Sequence, residues 1–381
     1  MALTVATAGT GVARTAHYVT PTGASAPIQT LLLEPQRTNL LVRSEDFSTT
    51  WAITASSVVT NATTAPDGTV TADKLQTNTT SAEHSVTQNI TWTNGTTYGV
   101  SCYFKAAEIG YGFITLPTVP FSTIRRNYIN LSTGAVTLAA STFGAAEALS
   151  NGWWRFTVWA TATGSTLSTS VRIGLTTSDT TTTTTGSNTT DGIYIWGAQV
   201  EAGAVPSSYI KTEGTTVTRN ADSFYLPFTA PPQQMTVYVR GVSESPNPST
   251  SWLFIGDAAA AAPRLRMDFG VSRVGMTQNN GSTEVTDAGP AASLAARGTM
   301  QEGRFVLFAD GSVQANVSLG GAAEISGVRT AANALPALWS ATRLYVGQRG
   351  GTAISQFAYT HVAVVPGVQS MAEMRAIAGV S

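Results

Sequence analysis

The sequence is poor in charged side chains and contains one cysteine. Only 11% of its 381 residues are charged, compared with about 25% in typical soluble domains. The 21 basic and 22 acidic residues nearly balance, so the chain lacks the clustered positive charge with which proteins bind nucleic acid. A lone Cys102 excludes an internal disulfide. We therefore expect no nucleic-acid partner and a fold that depends on ordinary core burial.

Long apolar runs and enzyme signatures are also missing. No stretch of 18 apolar residues occurs, which predicts no membrane span, and the first residues lack the basic and apolar segments of a secretory signal. The sequence contains no zinc-protease, P-loop or EF-hand motif and no nucleophile elbow. These absences favour a protein that is not an enzyme and that needs no cofactor.

Acidic residues leave two kinds of chemistry open. Glycoside hydrolysis needs two carboxylates that flank the substrate, and Asp191 with Glu201 could supply them. Glu45 and Asp46 are adjacent, so on a strand they would point to opposite faces and would not face one substrate. We expect such acids to cap turns or, alternatively, to hold a structural Ca²⁺ through oxygen ligands. Whether a metal is bound stays open, and a glycan-degrading enzyme is the least favoured function.

Threonine, which makes up about a sixth of the chain, replaces much of the missing charge. Its β-branched side chain favours strands. Short apolar stretches recur between turn signals such as Ala65-Pro66-Asp67-Gly68, and Thr93-Asn94-Gly95-Thr96 is typical of a hairpin turn. This pattern predicts an all-β protein made of β-sandwiches. The tract Thr180–Thr185 is predicted to be an exposed loop.

Changes in composition and in strand pattern divide the sequence into three parts. Residues 1–30 are small and polar and predict an extended N-terminal arm. Residues 31–222 and 223–381 each show a strand pattern, so we expect two sandwiches in tandem. The segment Ser370–Ile377 is the one good helix candidate, because Ser370 and Glu373 have the spacing of a capping box.

Alternation along three predicted strands separates an apolar face from an aromatic one. Val100, Cys102 and Phe104 share one face of their strand, and the neighbouring residues share the other. Flat rings can pack on the apolar faces of sugars, and charged groups beside them can bind the hydroxyls. The candidate glycan-binding residues on the aromatic faces are Tyr103, Lys105, Trp153, Arg155, Trp159, Tyr194 and Trp196. The alternative is that these aromatic side chains pack under loops or against a neighbouring subunit.

Several motifs resemble a module found in virion and tail proteins of tailed bacteriophages. They retain their order and spacing over about 190 residues. The matching pieces include Leu31–Leu41, Ser44-Glu45-Asp46-Phe47, Ala72-Asp73-Lys74-Leu75, Tyr103-Phe104-Lys105-Ala106, Asn151–Arg155, Asp191–Glu201, Ser208-Tyr209-Ile210 and Val217–Asp222. That module is similar to jelly-roll carbohydrate-binding modules. Residues 223–381 more weakly resemble the concanavalin-like or laminin-G-like sandwiches that often follow it.

The resemblance implies a jelly-roll sandwich on a virion surface that binds glycan or serves as a building block. Tail fibres usually have a long repetitive shaft and an anchoring domain, which this sequence does not show, so we expect a compact tail or head appendage. The resemblance also implies that residues 1–30 attach the chain to other virion proteins and that the sandwich faces bind host-surface glycan. Weak sugar sites gain from many copies, so we expect a homo-oligomer, of which a trimer is one form. The alternative is a purely architectural capsid or tail protein that binds no sugar.

Overall fold

The computed structural model describes residues 15–17, 29–186, 188–203, 207–220, 224–227, 234–243, 250–255, 264–269, 274–279, 284–288, 300–310, 312–319, 323–326, 343–346, 348–349, 352–353 and 357–378. Contacts between Cα atoms divide the chain into two units. The inserted unit comprises residues 37–219, and the split unit comprises residues 1–36 and 220–381. Each unit is an antiparallel β-structure, so the prediction of an all-β protein is confirmed.

The strands are numbered along the chain. The first part of the split unit contains β1 (Thr15–His17) and β2 (Gln29–Leu33). The inserted unit contains β3 (Arg37–Asn39), β4 (Ala52–Thr54), β5 (Ser56–Thr63), β6 (Ala72–Thr77), β7 (Ser81–Trp92), β8 (Thr97–Ala106), β9 (Tyr111–Leu116), β10 (Arg125–Asn130), β11 (Val136–Thr137), β12 (Phe143–Ala148), β13 (Trp153–Thr161), β14 (Leu167–Thr176), β15 (Thr183–Thr185), β16 (Gly192–Ala202) and β17 (Val217–Arg219). The second part of the split unit contains β18 (Phe224–Pro227), β19 (Met235–Ser243), β20 (Thr250–Ile255), β21 (Arg264–Phe269), β22 (Val274–Asn279), β23 (Glu284–Ala288), β24 (Met300–Leu307), β25 (Val313–Leu319), β26 (Ile325–Ser326), β27 (Arg343–Val346), β28 (Gln348–Arg349), β29 (Thr352–Ala353), β30 (Phe357–Pro366) and the helix α1 (Met371–Ala378).

The inserted unit is a sandwich of two sheets. One sheet has the strand order β11-β10-β9-β14-β7-β15, with β4 also paired to β7, and the other has the order β12-β13-β8-β16-β6-β5. Val100, Cys102 and Phe104 are fully buried between the sheets, together with apolar residues of β7, β9 and β14. The apolar faces predicted by alternation therefore form the core. Burial raises the pKa of the Cys102 thiol, as expected of a structural cysteine.

Two local predictions for the inserted unit are wrong. The Thr96 amide donates to the Thr93 carbonyl at 3.1 Å, so a turn forms there, but β7 and β8 belong to different sheets and make no hairpin. The turn connects the sheets because each strand finds its partners elsewhere. The threonine tract is also not simply exposed, since Thr182 and Thr184 are buried and β15 pairs with β7. A threonine hydroxyl can be buried when it is bonded, and Thr184 Oγ1 lies 3.0 Å from Thr177 Oγ1.

The split unit also has two main sheets. One has the order β1-β2-β30-β19-β24-β25-β26 and the other the order β18-β27-β20-β21-β22-β23. The predicted arm of residues 1–30 and the start of the next predicted domain contribute β1 and β2, and β2 pairs with β30. Residues 31–33 of β2, just beyond the predicted arm, make the pairing with β30, and the described arm residues pair with one another through β1 and β2. The backbone groups of β2 are bonded to β30, a strand of the same chain.

The predicted helix is confirmed as α1. The Glu373 amide donates to Ser370 Oγ at 3.2 Å, and the Ser370 amide donates to Glu373 Oε2 at 2.7 Å, which completes a capping box. Met371 and Met374 pack against Tyr238, and Arg375 Nε donates to Glu302 Oε2 at 2.8 Å. Among the described residues, no helix is both long and apolar enough to cross a bilayer.

Candidate functional site

The seven candidate glycan-binding residues lie on neighbouring strands, as the prediction required. Strands β13, β8 and β16 are adjacent in one sheet. The paired positions are Trp153 with Lys105, Arg155 with Tyr103, Tyr194 with Lys105, Trp196 with Tyr103, and Trp159 with Gly99. The side chains at these positions share the face that points away from the core. Sequence alternation thus grouped the residues correctly.

Burial decides what these residues can do. Trp153 is 1% exposed, Trp196 is 3% exposed, and Tyr103 and Trp159 are also buried. An aromatic layer, comprising Ala65, Ala72, Tyr103, Trp153 and Trp196 with Leu149, Tyr194 and Tyr209 packed against it, forms a second small core. Segments of the same chain cover this layer, so most of its ring surface contacts protein.

Hydrogen bonds hold the covering segments in place. Trp153 Nε1 donates to the Thr64 carbonyl at 3.1 Å, and Trp196 Nε1 donates to Thr71 Oγ1 at 3.0 Å. Both acceptors lie in the connection from β5 to β6. This geometry corresponds to the alternative in which the aromatic side chains pack under loops, since buried indole N–H groups need a partner.

The other candidates are partly engaged in packing as well. Arg155 Nη2 donates to the Ser207 carbonyl at 2.6 Å, and its guanidinium lies 5.5 Å from the centre of the Tyr103 ring. Trp159 stacks on Phe143 with ring centres 6.1 Å apart. Lys105, Arg155 and Tyr194 remain half-buried. These three are the candidates that keep part of their surface open to solvent.

A cleft of about 550 Å³ lies in the inserted unit near one end of the aromatic layer. It is lined by charged side chains of both signs and by short polar ones. The charged residues are Arg43, Glu45, Asp46, Asp73, Lys211 and Glu213. The uncharged residues are Ser48, Thr60, Asn61, Thr71 and Thr212. None of these eleven residues belongs to the candidate glycan-binding set, although Glu45 and Asp46 are among the acids weighed for hydrolysis or Ca²⁺ binding.

Asp73 ties two walls of the cleft together. It lies on β6 and is 1% exposed. Its Oδ2 accepts the amide of Phe47 at 2.9 Å, and its Oδ1 accepts the amide of Asn61 at 3.0 Å. Phe47 belongs to the loop after β3, and Asn61 belongs to β5. One buried carboxylate therefore fixes the loop and the strand against each other.

The β5 wall is irregular where it meets the cleft. The pairing of β5 with β6 shifts register between Val59 and Thr63, and Thr60 and Asn61 lie within this bulge. Asn61 has a φ of 53°, in the left-handed region that non-glycine residues rarely adopt. Arg43, on the opposite wall, also has a φ of 53°. Bulges and left-handed residues are concentrated at functional sites, where they aim side chains.

The loop after β3 forms one wall of the cleft and corrects the expectation that Glu45 and Asp46 point to opposite faces of a strand. Both residues lie in irregular structure, where strand alternation does not apply, and both line the cleft. Asp46 does cap a turn, since its Oδ1 accepts the Ser48 amide at 3.0 Å and its Oδ2 accepts the Thr49 hydroxyl at 2.6 Å. Burial alone would raise the pKa of Asp46, but these bonds and the nearby Arg43 outweigh it, so the pKa lies below its ordinary value.

Tyr209 joins the aromatic layer to the cleft. Its ring centre lies 4.6 Å from that of Trp196, and its hydroxyl donates to Glu45 Oε1 at 3.0 Å. Burial raises the pKa of Tyr209, so the phenol stays protonated as the donor. Glu45 also pairs with Lys211 Nζ at 3.1 Å. The candidate Trp196 thus lies behind the cleft. It contacts the ring of Tyr209, which bonds to the cleft residue Glu45, and it donates to the cleft residue Thr71.

The pKa values of Asp73 and Asp46 are shifted in opposite directions. Burial raises the pKa of Asp73 to about 6, and the charges of Asp46 and Glu45 add to this, although its two backbone hydrogen bonds act against it. Four acidic and two basic side chains line the cleft. Among the described residues, no three acidic, histidine or cysteine side chains lie close enough together to hold a metal ion.

The cleft residues were present in the sequence signal but were not recognised there. Glu45, Asp46, Asp73 and Tyr209 all fall in the motif pieces that resemble the phage module. Glu45, Asp46 and Tyr209 lie in irregular segments, where alternation says nothing about side-chain direction, whereas Asp73 lies on the regular strand β6 and Tyr209 supports the cleft from behind. What joins them is pairing between residues far apart in the chain, which one sequence does not reveal.

Comparison with known proteins gives similarities of architecture. No protein-family model and no curated protein sequence matches the chain. Among solved structures, the CBM40 module of the Ruminococcus gnavus IT-sialidase is similar, with 20% identity over 38% of this chain and 82% of that chain and a TM-score of 0.30. The NanB sialidase of Streptococcus pneumoniae has 12% identity over 39% of this chain, a TM-score of 0.32, and only 25% of its own length covered. Domains LG4-5 of the mouse laminin alpha1 chain have 12% identity over 74% of this chain and 86% of that chain, with a TM-score of 0.26.

Proposed function

We propose that the protein is a glycan-binding component of a bacteriophage virion surface and that the sugar binds in the cleft of the inserted unit. The observation that carries the proposal is the cleft itself. Its volume of about 550 Å³ lies within the range of small-molecule sites, about 300–1,000 Å³. Its lining offers hydroxyl, amide, carboxylate and cationic groups from four separate segments.

The chemistry of this lining suits a sugar. A sugar hydroxyl both donates and accepts, so it needs neighbours of both kinds. Thr60 and Asn61 are exposed on the β5 bulge, and Thr71 faces the same cleft with a hydroxyl oxygen that already accepts from Trp196. Polar side chains in a preformed cleft bind at lower entropic cost than side chains that must be ordered by the ligand.

The walls of the cleft are held by bonds that do not involve the ligand. Asp73 bonds to the backbone on both sides, and Tyr209 holds Glu45 from behind. The aromatic layer therefore supports the binding surface in this proposal and contributes little of its own area. We assign direct contact with the sugar to the exposed residues of the cleft.

The virion role is supported by the motif resemblance, which extends through the whole inserted unit. In that role the protein binds and does not catalyse, and it attaches to other virion proteins. A homo-oligomer would present several clefts at once, and linked weak sites bind far more tightly than single ones. Immunogold labelling of intact particles with an antibody to this chain tests the location, and absence from particles would refute it.

The binding site is tested by filling the cleft. We expect Thr60→Trp to abolish binding of the full-length chain to host-cell glycans on an array, because the indole would occupy the space beside the bulge. Val59→Trp is the matched control, since Val59 is an exposed β-branched residue on the same strand and does not line the cleft. Tyr194→Ala tests the alternative site, the face of the β13-β8-β16 sheet on which the half-buried Tyr194 lies.

The outcomes separate the alternatives. Loss of binding in Thr60→Trp alone supports the cleft, whereas loss in Tyr194→Ala alone would move the site to the sheet face. A folded wild-type chain that binds no host glycan on the array would refute the sugar proposal and favour the purely architectural function.

Glycoside hydrolysis is a second candidate because two acids of the cleft have opposite pKa shifts. Enzymes use such pairs as general acid and nucleophile or base. However, Asp73 is almost wholly buried, and both of its oxygens accept backbone amides, which leaves it badly placed to protonate a ligand. Release of reducing sugar from host polysaccharide, lost in Asp46→Asn, would establish the enzyme instead.

A further inference from the structure

We propose that the cleft prefers a sugar that carries a protonated amine over the same sugar in neutral form, and that it disfavours sugars that carry a carboxylate. This inference rests on the proposed function and specifies its ligand. It comes from the balance of charges in the cavity and from how those charges are already paired.

Acids outnumber cations in the lining. Two cationic and four acidic side chains line the cleft. When all six are ionised, the lining is two charges negative, in a chain whose formal net charge is only -1. The negative charge is therefore concentrated at the cleft, and a concave site concentrates such a field on the ligand.

Both cations already have acidic partners. Arg43 Nη1 lies 3.5 Å from Asp46 Oδ2. Lys211 Nζ lies 3.1 Å from Glu45 Oε2 and 3.4 Å from Glu213 Oε1. An anionic sugar would have to share or displace these carboxylates to reach a cation. An ammonium group would instead add to the existing pairs without breaking one.

Two of the acids are exposed to solvent, although each also has partners in the cleft, Ser48, Thr49 and Arg43 for Asp46 and Lys211 for Glu213. The side chain of Glu213 is 80% exposed and that of Asp46 is 39% exposed. Asp73 and Glu45 lie deeper and act through their charge. The accessible acids are thus at the rim, where an amine on a bound sugar would meet them, and the buried ones reinforce the field behind.

The preference is expected to be modest. Exposed ion pairs contribute little, so we expect the amine-bearing ligand to bind about 1.4-fold to fivefold more tightly than its neutral counterpart. Because the rim charges are exposed to solvent, raising the ionic strength should reduce this ratio.

Calorimetric titration of the full-length protein with three oligosaccharides tests the inference. The ligands are a glucosamine oligomer with free amines, the same oligomer fully N-acetylated, and a galacturonic acid oligomer of equal length. We expect affinity to decrease in that order, and we expect Glu213→Gln to reduce the ratio between the first two. Val59→Trp, outside the cleft, should leave the ratio unchanged.

The two proposals fail in different ways. If Thr60→Trp abolishes binding but the N-acetylated or acidic oligomer binds at least as tightly as the amine, the charge inference is overturned and the cleft remains the site. A ratio that stays the same in Glu213→Gln or at high salt also overturns it. If none of the three binds while the array shows binding of other host glycans, the charge inference is overturned, and if Thr60→Trp has no effect on that binding, the cleft proposal falls as well.

Discussion

The aromatic layer and the cleft are neighbours in one sandwich, yet they use their residues in opposite ways. The layer buries large rings and satisfies each buried indole N–H with one hydrogen bond, as for Trp153 and Trp196. The cleft keeps short polar groups such as Thr60 and Asn61 near solvent and holds its deeper acids, Asp73 and Glu45, by hydrogen bonds from Phe47, Asn61 and Tyr209. The comparison teaches that aromatic side chains on a sheet face can support a binding surface and leave the contact itself to less conspicuous residues.

The largest expected effect tests the packing role of the layer. We expect Trp153→Ala to lower the free energy of unfolding by about 3–5 kcal/mol, because a fully buried ring leaves a cavity. Sugar binding well below the melting temperature should stay within about twofold of wild type. Scanning calorimetry and glycan titration measure the two quantities.

Phe143→Ala is the matched control for this substitution. Phe143 is 62% exposed although it stacks on Trp159, so we expect a loss of less than about 1 kcal/mol. If Trp153→Ala abolished glycan binding without lowering stability, the contrast between layer and cleft would be wrong.

The next effect concerns Asp73 and pH. Burial raises its pKa from an ordinary value of about 3.8 to about 6 in the folded chain, so the folded state binds the proton more tightly. Its contribution to stability is fully present below pH 3.8 and is lost as the pH rises through 6. The change is about 3 kcal/mol, because one pKa unit corresponds to about 1.4 kcal/mol.

Urea unfolding of wild type and Asp73→Asn between pH 4 and 7 measures this contribution. Tryptophan fluorescence is suitable because six of the eight tryptophans lie in the inserted unit. The difference in stability between the two proteins should change with pH across this window in the direction given. A difference that is independent of pH would show that Asp73 has an ordinary pKa.

A smaller effect tests the connection between the layer and the cleft. Tyr209→Phe keeps the ring against Trp196 but removes the hydroxyl that donates to Glu45. We expect a loss of about 1–2 kcal/mol in stability and weaker glycan binding, since a buried hydrogen bond is removed and Glu45 is less well held. Unchanged binding in Tyr209→Phe would mean that the cleft does not depend on the layer.

The smallest expected effect is that of Lys211→Gln. The Lys211 side chain is half exposed, and exposed ion pairs contribute little to stability, so we expect a loss of at most about 1 kcal/mol. Binding of an amine-bearing sugar should be retained or improved because a competing cation is removed. Thermal unfolding and titration of this variant check both expectations, and a large loss of stability would show that the pair with Glu45 is structural.

Much of the fold could be predicted because the alternation that identifies a strand is a property of residues close together in the sequence. Alternation assigned Val100, Cys102 and Phe104 to the core, and capping chemistry located α1. Pairing between distant segments is not local. The partner of β2 is β30, and β7 and β8 flank a good hairpin turn but lie in different sheets. Neither could be read from one sequence.

The candidate site was half predictable for a related reason. Alternation grouped the aromatic residues correctly, because they lie on regular strands. It could not tell that loops cover Trp153 and Trp196, since loop placement depends on the whole fold. It failed for Glu45 and Asp46, which lie where the backbone leaves the strand geometry. The cleft forms at such irregular positions, at a bulge and at left-handed residues, and periodic patterns do not describe them.

The pairing of β2 with β30 sets an order for biosynthesis. A ribosome that makes this chain releases β2 more than 300 residues before its partner strand exists. The first and last strands of the inserted unit, β3 and β17, pair with each other. The inserted unit can therefore fold before β30 has been synthesised. Until the last strand emerges, β2 has an open edge to which another chain could add. A pause or truncation late in translation would therefore leave the inserted unit folded and the rest of the chain prone to aggregation.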